Sequence, residues 1–293
     1  MKFKYTVGME MTGIIPEYKE RISRYGQGPT NATVHLTRAY STLISTVLSK
    51  EYPNSFEVGT HLDGHCLEFP SPVFSTTEQM DKFYLLLKKQ FKKYKITAQH
   101  PATVCGGNHI HFGIKDNVLL KKIFRDFITH YYVPWVFTQP DDTDSCDNLI
   151  TKHPEEDTSI FADNFTNAMV PIFYTNKMPT WGHLDGIKGY AISTNKPKNI
   201  RTIEFRCVEA PLNLSELHDQ LDFFIAYVNY VAKRPMPSPI VGMTIEELNA
   251  ITPKEAKDKF NALLLKLKLS PKRYAKYVRR NLYPRWKMKR QRV

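Results

Sequence analysis

Phe56-Glu-Val-Gly-Thr-His-Leu-Asp63-Gly64-His-Cys66-Leu-Glu68-Phe69 is the stretch on which the fold turns. Two short runs of strand character, Phe56-Glu57-Val58 and Cys66-Leu67-Glu68-Phe69, flank an Asp63-Gly64 dipeptide. Tight hairpin turns favour that dipeptide because their central residues need positive φ. A hairpin means antiparallel pairing. Outward from it, strand-like runs at 3–11, 104–114, 190–194 and 200–208 mix with helical patterns at 32–50, 76–94, 117–137, 215–233, 253–269 and 270–282. No strict βαβ rhythm links them, so the expected class is α+β, an antiparallel sheet with flanking helices. Thr76 or Thr77 is the expected cap of one helix, and Thr252 with Pro253 opens another. Arg21 to Asn31 reads as a loop, Pro134 as a kink or stop, and the acidic, irregular run from Gln139 to Met178 as an insertion or lid.

At 293 residues the chain can hold one large domain or two modest ones. No apolar run approaches membrane-span length, and the N-terminus alternates like a strand instead of carrying a signal-peptide core. The expectation is a soluble, cytoplasmic protein. Cys66, Cys105, Cys146 and Cys207 show neither CxxC pairing nor zinc-finger spacing, so reduced thiols without a disulfide framework are expected. The net charge of +12 is local. From Lys254 onward there are 15 Lys and Arg against two acids, which leaves 26 against 27 from totals of 41 and 29. The basicity belongs to a helical C-terminal segment, 244–293, and not to the remaining 1–243.

Three strand-like segments carry polar residues two apart: Glu10 with Thr12, His109 with His111, and Glu204 with Arg206. Strand side chains alternate, so each pair shares a sheet face. A face holding Glu, His and Arg is costly to bury as core and well suited to cations and phosphate. In Cys105-Gly-Gly-Asn108-His109-Ile-His111-Phe-Gly113 two imidazoles face one site, framed by glycines that admit close approach. An isolated His-x-His is more often a surface pair on an edge strand; the glycine frame and the acidic strands favour a site. In Arg201-Thr-Ile-Glu204-Phe-Arg206-Cys-Val-Glu209, Ile203, Phe205 and Cys207 face one way and Glu204 and Arg206 the other. That is either a solvated Glu–Arg pair or a metal carboxylate beside a phosphate-binding guanidinium. Glu10 and Glu68 each interrupt an apolar run, so each needs a cation or a solvated edge.

The ordered set, a Gly8-Met-Glu10 strand, Asp63-Gly-His-Cys-Leu-Glu68-Phe-Pro-Ser-Pro72, Cys105-Gly-Gly-Asn-His-Ile-His-Phe-Gly113 and Arg201-Thr-Ile-Glu-Phe-Arg206, resembles the amidoligase family of the glutamine synthetase and glutamate–cysteine ligase superfamily. It spans roughly 4–213, most positions between motifs carrying no signal. The resemblance implies a curved antiparallel sheet of glutamine synthetase type, with 1–243 as the catalytic domain. Its concave face would hold ATP and two or three Mg²⁺ ions. A carboxylate would accept the γ-phosphoryl group and an amine would then displace phosphate. It implies Glu10, Glu68, Glu204 and His109 as metal ligands, His111 and Asn108 as nucleotide contacts, and Arg206 at the transferring phosphoryl group. Arg206, His109 and His111 would be the catalytic residues. Lys188 and Lys196, just before the last strand, could also reach phosphate, but loop lysines are usually only solvated, and neither is expected in the site. Where the family has a second acid on the first strand, this chain has Thr12, a neutral and weak ligand, which weakens one metal site. Members also occur in bacteriophage genomes, so a viral origin, and then a host cytoplasm, stays open.

Two other readings stand beside the ligase. One is a degenerate ligase scaffold with a structural role, binding nucleic acid or an acidic protein through basic helices that carry Tyr274, Tyr277, Tyr283 and Trp286. The other is a metal-dependent hydrolase built on His109, His111 and the glutamates. A Glu-x-Arg strand suits phosphate better than peptide hydrolysis. The acid and amine substrates, small molecule or peptide, are not encoded in these motifs.

Overall fold

The computed structural model describes residues 2–25, 30–53, 62–63, 66–98, 108–137, 192–195, 202–237 and 250–284. The chain divides into two compact units, residues 1–112 with 209–217, and residues 113–208 with 218–293. Helices and antiparallel strand pairs mix in the order that an α+β fold expects. Among the described residues, no helix is long and apolar enough to cross a membrane. The expected strand at 56–58, the 139–178 insertion, Lys188, Lys196 and the cationic end beyond Pro284 lie outside the described residues.

In the first unit the sheet is built around β1 (Lys2–Gly13). Its alternation is visible in burial: Val7, Met9 and Met11 are buried on the core face, while Gly8 and Glu10 project the other way. β2 (Leu62–Asp63) and β3 (Cys66–Pro70) are antiparallel, pairing Leu62 with Leu67 and Asp63 with Cys66, so Asp63 ends a strand instead of sitting in the turn. β3 then runs antiparallel to β1, setting Thr12 opposite Glu68 and Glu10 opposite Pro70. β4 (Phe74–Thr76) also pairs with β1, and β5 (Asn108–Gly113) adjoins β1 on the side away from β3.

Three helices cover this sheet: α1 (Pro16–Tyr25), α2 (Asn31–Glu51) and α3 (Thr77–Lys93). α1 corrects the loop expected from Arg21 onward. Pro16 supplies the fixed φ and absent N–H that a first helical position tolerates, and the helix is anchored by buried Tyr18. α3 starts where the sequence places it: the Thr76 hydroxyl accepts from Gln79 N while the Gln79 side chain accepts from Thr76 N. Its apolar stripe packs Phe83 on Phe74 and Phe91 on Phe69, with centroids 5.8 and 6.0 Å apart.

Phe91 also fixes how closely β1 is covered. A Cβ on Gly13 would stand 2.7 Å from Ile96 Cγ2 and 3.0 Å from two Phe91 ring carbons. Gly13→Ala is therefore expected to cost about 1–3 kcal/mol by overpacking. Urea unfolding of the two proteins checks this, and equal midpoints would contradict it.

The second unit holds α4 (Asn117–Ile128), α5 (Tyr132–Phe137), β6 (Ile192–Asn195), β7 (Thr202–Phe205), most of α6 (Leu214–Ala232), α7 (Pro253–Lys266) and α8 (Pro271–Tyr277). α8 runs on into a π-helical turn, Val278–Leu282. β6 and β7 are antiparallel. The single helix expected over 117–137 is broken at 129–131, ahead of Pro134. Proline has no N–H to offer the His130 carbonyl, which accepts instead from Val133 N at 2.8 Å. Aromatic rings fill the core: Phe205 lies 4.5 Å from Phe224 and 5.3 Å from Phe127, and Phe137 lies 4.9 Å from Phe223.

The C-terminal helices belong to this core. Tyr274 and Tyr277 are wholly buried, Tyr274 Oη donates to the Asp219 carbonyl at 2.8 Å, and Asn281 Nδ2 donates to the Val136 carbonyl at 2.8 Å. Two of the basic residues are engaged by α6. Arg273 Nε donates to Asp219 and its Nη1 lies 2.7 Å from Asp222, while Lys276 Nζ lies 2.6 Å from the second Asp219 oxygen.

Cys66 departs from expectation. It is buried, as its apolar run implies, but it is disulfide-bonded instead of reduced, whereas Cys207 is free and buried. Spacing along a chain does not reveal a bridge between remote cysteines.

Candidate metal centre

Glu10 is placed by β1, and two neighbouring strands bring its partners. Directly opposed residues of an antiparallel pair share a face, so Glu68, opposite Thr12, stands on the Glu10 side of β3. On β5, Asn108, Ile110 and Phe112 are buried while His109 and His111 alternate to the other face. A Cβ on Gly8 would sit 3.6 Å from His111 Cβ, an ordinary contact that shows how near the two strands run at the site. Ser71 stitches the end of β3 to β1: its N–H donates to the Met9 carbonyl at 2.6 Å, and its hydroxyl accepts from Met9 N at 2.8 Å.

The convergence on Glu10 is close. His109 Nδ1 lies 2.7 Å from Glu10 Oε2, and His111 Nε2 lies 3.8 Å from the same oxygen. One ligand atom from each of the three residues lies within 4.8 Å of the others. All three side chains are less than one-fifth exposed. Burial alone would raise the Glu10 pKa. The hydrogen bond and charge of His109, with His111 and Glu68 close by, reverse that and hold it well below the usual carboxylate range. Glu10 and Glu68 present carboxylates on the same face of adjacent strands, where like charges favour a proton or a cation between them. The carboxylate oxygens fit Mg²⁺, which prefers oxygen and keeps water, whereas paired imidazoles are more typical of zinc and its neighbours.

The other expected site residues fall as follows. Glu204, on β7 of the second unit, is 3% exposed, with Arg206 Nη1 2.5 Å from its Oε1. Its strand neighbours Ile203 and Phe205 are in the core, as alternation requires. Asn108 is wholly buried on the face away from the two histidines, so β5 does not bring it to them. Thr12 is buried at the position where a second acid is absent.

Sequence reasoning missed a second polar constellation, within the second unit. Asp126, buried on α4, accepts from Tyr227 Oη at 2.9 Å and Arg234 Nη1 at 3.2 Å, and lies 3.1 Å from His130 Nε2. His130 Nδ1 in turn lies 2.7 Å from Tyr132 Oη. The i,i+4 spacing of Asp126 and His130 is the one local signal, and the apolar pattern around it hid it.

No family model matches the chain, and no curated protein matches it. Among solved structures, the crystal structure of the complex between Prokaryotic Ubiquitin-like Protein Pup and its ligase PafA is similar at a TM-score of 0.40 and 8% identity, over 97% of this chain and 65% of that chain. This chain thus spans 65% of the length of that solved chain. At that TM-score the likeness carries no argument about what this chain does.

Proposed function

We propose that the protein is an ATP- and divalent-metal-dependent ligase that joins a carboxylate to an amine. The observation that carries this reading is the Glu10 carboxylate, on which His109, His111 and Glu68 converge at a largely buried sheet face. Two imidazoles and two carboxylates gathered on one sheet face mark a place that a cation can occupy. The order of the four motifs along the chain, and their resemblance to the amidoligases, supports the choice of reaction.

In this reading an oxygen of the substrate carboxylate attacks the γ-phosphorus, the bond to the bridging oxygen of ADP breaks, and an acyl phosphate forms. The amine nitrogen then attacks the acyl carbon, the bond to phosphate breaks, and the nitrogen loses a proton. Little covalent work falls to the protein, so positioning and charge are what its side chains must supply. Glu10, Glu68, Glu204 and His109 are assigned to metal, His111 to nucleotide, and Arg206 to the charge on the transferring phosphoryl group; Asn108, buried on the opposite face, is left out. Mg²⁺ suits the nucleotide phosphates together with one or two carboxylates. Arg206 enters through the sequence resemblance alone. Small molecules and peptides both fit the substrate classes this reaction admits.

Calorimetric titration of ATP with Mg²⁺ into the intact 293-residue chain tests the reading. Magnesium-dependent binding is expected, weakened at least tenfold, about 1.4 kcal/mol, in a Glu204→Ala, Arg206→Ala double variant that remains folded by circular dichroism. If the wild-type chain binds no nucleotide, the ligase reading fails and a scaffold acting through its basic helices takes its place.

A further inference from the structure

We infer that Glu10, His109 and His111 hold a borderline first-row divalent ion of the Zn²⁺ class, not the Mg²⁺ that the sequence resemblance implies. The inference rests on the reading of this sheet face as a metal site, which the ligase proposal shares, but it does not need the ligase chemistry.

The donor set decides the class of ion. Mg²⁺ is hard, gives up water reluctantly and seeks an octahedron of oxygens, whereas imidazole nitrogen suits Zn²⁺, Ni²⁺, Cu²⁺ and Fe²⁺. Within the first unit the donors are two imidazoles on one short strand and the Glu10 carboxylate. Around an ion with bonds of about 2.0–2.2 Å, tetrahedral ligand atoms stand about 3.3–3.6 Å apart. The two separations from Glu10 Oε2, 2.7 Å to His109 Nδ1 and 3.8 Å to His111 Nε2, bracket that spacing. Closing the set around an ion therefore needs His109 to draw back by about 0.6–0.9 Å and His111 to approach by about 0.2–0.5 Å.

The geometry also names the atoms. His109 presents Nδ1 to Glu10 and His111 presents Nε2. Adjacent same-face histidines on one strand thus approach the acid through different ring nitrogens. Glu68, on the same face of the neighbouring strand, is then an outer carboxylate that tunes the site instead of the direct ligand that the resemblance implies. The three side chains retain between 13% and 17% exposure, enough for an ion to enter and for a fourth ligand, water or substrate, to reach it.

The test is direct metal binding by the intact chain, stripped with a chelator and dialysed. Calorimetric titration with Zn²⁺, Mn²⁺ and Mg²⁺ separately is expected to give one Zn²⁺ per chain at this site, bound at least a hundredfold tighter than Mg²⁺. His109→Ala and His111→Ala should each weaken Zn²⁺ by at least a hundredfold while leaving the circular dichroism spectrum unchanged. Because a variant can fail to fold, long-range ¹H–¹⁵N spectra of the wild-type imidazoles supply a second readout. Added Zn²⁺ should move His109 Nδ1 and His111 Nε2 to the shifts of metal-bound nitrogen. Equal affinity for Mg²⁺ and Zn²⁺, or imidazole shifts that Zn²⁺ leaves unmoved, would overturn the inference. ATP and Mg²⁺ binding normally beside a zinc-blind triad would sink this inference and spare the ligase. A zinc-loaded triad in a chain that binds no ATP would do the reverse.

Discussion

Changing Arg273 and Lys276 together to alanine is expected to cost about 3–5 kcal/mol of stability, while Asp219→Asn costs only roughly 1–2 kcal/mol. The asymmetry follows from where the charges sit. The Asp219 side chain is 3% exposed, whereas those of Arg273 and Lys276 are 37% and 35% exposed. Removing both cations leaves a desolvated carboxylate facing only the Tyr277 hydroxyl, 3.5 Å away. Removing the acid leaves two cations that water can reach, and Arg273 keeps its contact with Asp222. Equilibrium unfolding in urea measures both. An Asp219→Asn chain less stable than the double variant would mean that desolvation of the acid is not what the cations offset.

Asp126→Ala is expected to be as damaging, at about 3–5 kcal/mol, because it strips the common acceptor from three donors. Tyr227 is fully buried and has no water to turn to. The pH dependence carries a definite sign. Burial opposes the Asp126 charge, but hydrogen bonds from His130 and Tyr227 and the charges of His130 and Arg234 outweigh it, so its folded pKa is lowered. A lowered folded value stabilises the fold above the ordinary aspartate pKa of about 3.9. That contribution is lost as pH falls below it towards the folded value. Wild-type stability should therefore drop on acidification below about pH 4. Asp126→Asn should flatten that part of the curve, as urea titrations at several pH values would record. An unchanged acid limb in the variant would assign the drop to other carboxylates.

Most of the first unit was legible because its signals are local. Thr76 caps its own helix, and the alternation of Asn108 to Phe112 separates core from site within five positions. The joining of Glu10 to His109 could be expected only through the order of motifs, since 99 residues separate them. Elsewhere the chain was harder to read. α1 is polar enough to pass for a loop, its anchor being Tyr18 instead of an apolar stripe. The Asp126 constellation joins residues 101 and 108 positions apart, and the Cys66 bridge is likewise a product of tertiary proximity. Charge counting put the basic C-terminal residues in one segment, but it could not see that Arg273 and Lys276 face acids on α6.

The first unit is completed by residues 209–217, where the Pro211 carbonyl accepts from Tyr84 Oη at 2.9 Å. During synthesis the ribosome must therefore add nearly a hundred residues between the end of β5 and the segment that finishes the unit. At ordinary elongation rates this takes on the order of ten seconds. Throughout that interval the nascent sheet exists with its Tyr84 hydroxyl still hydrated. A fragment ending at residue 112 would be arrested in the same state, which makes the later half of the chain a requirement for the earlier half to finish folding.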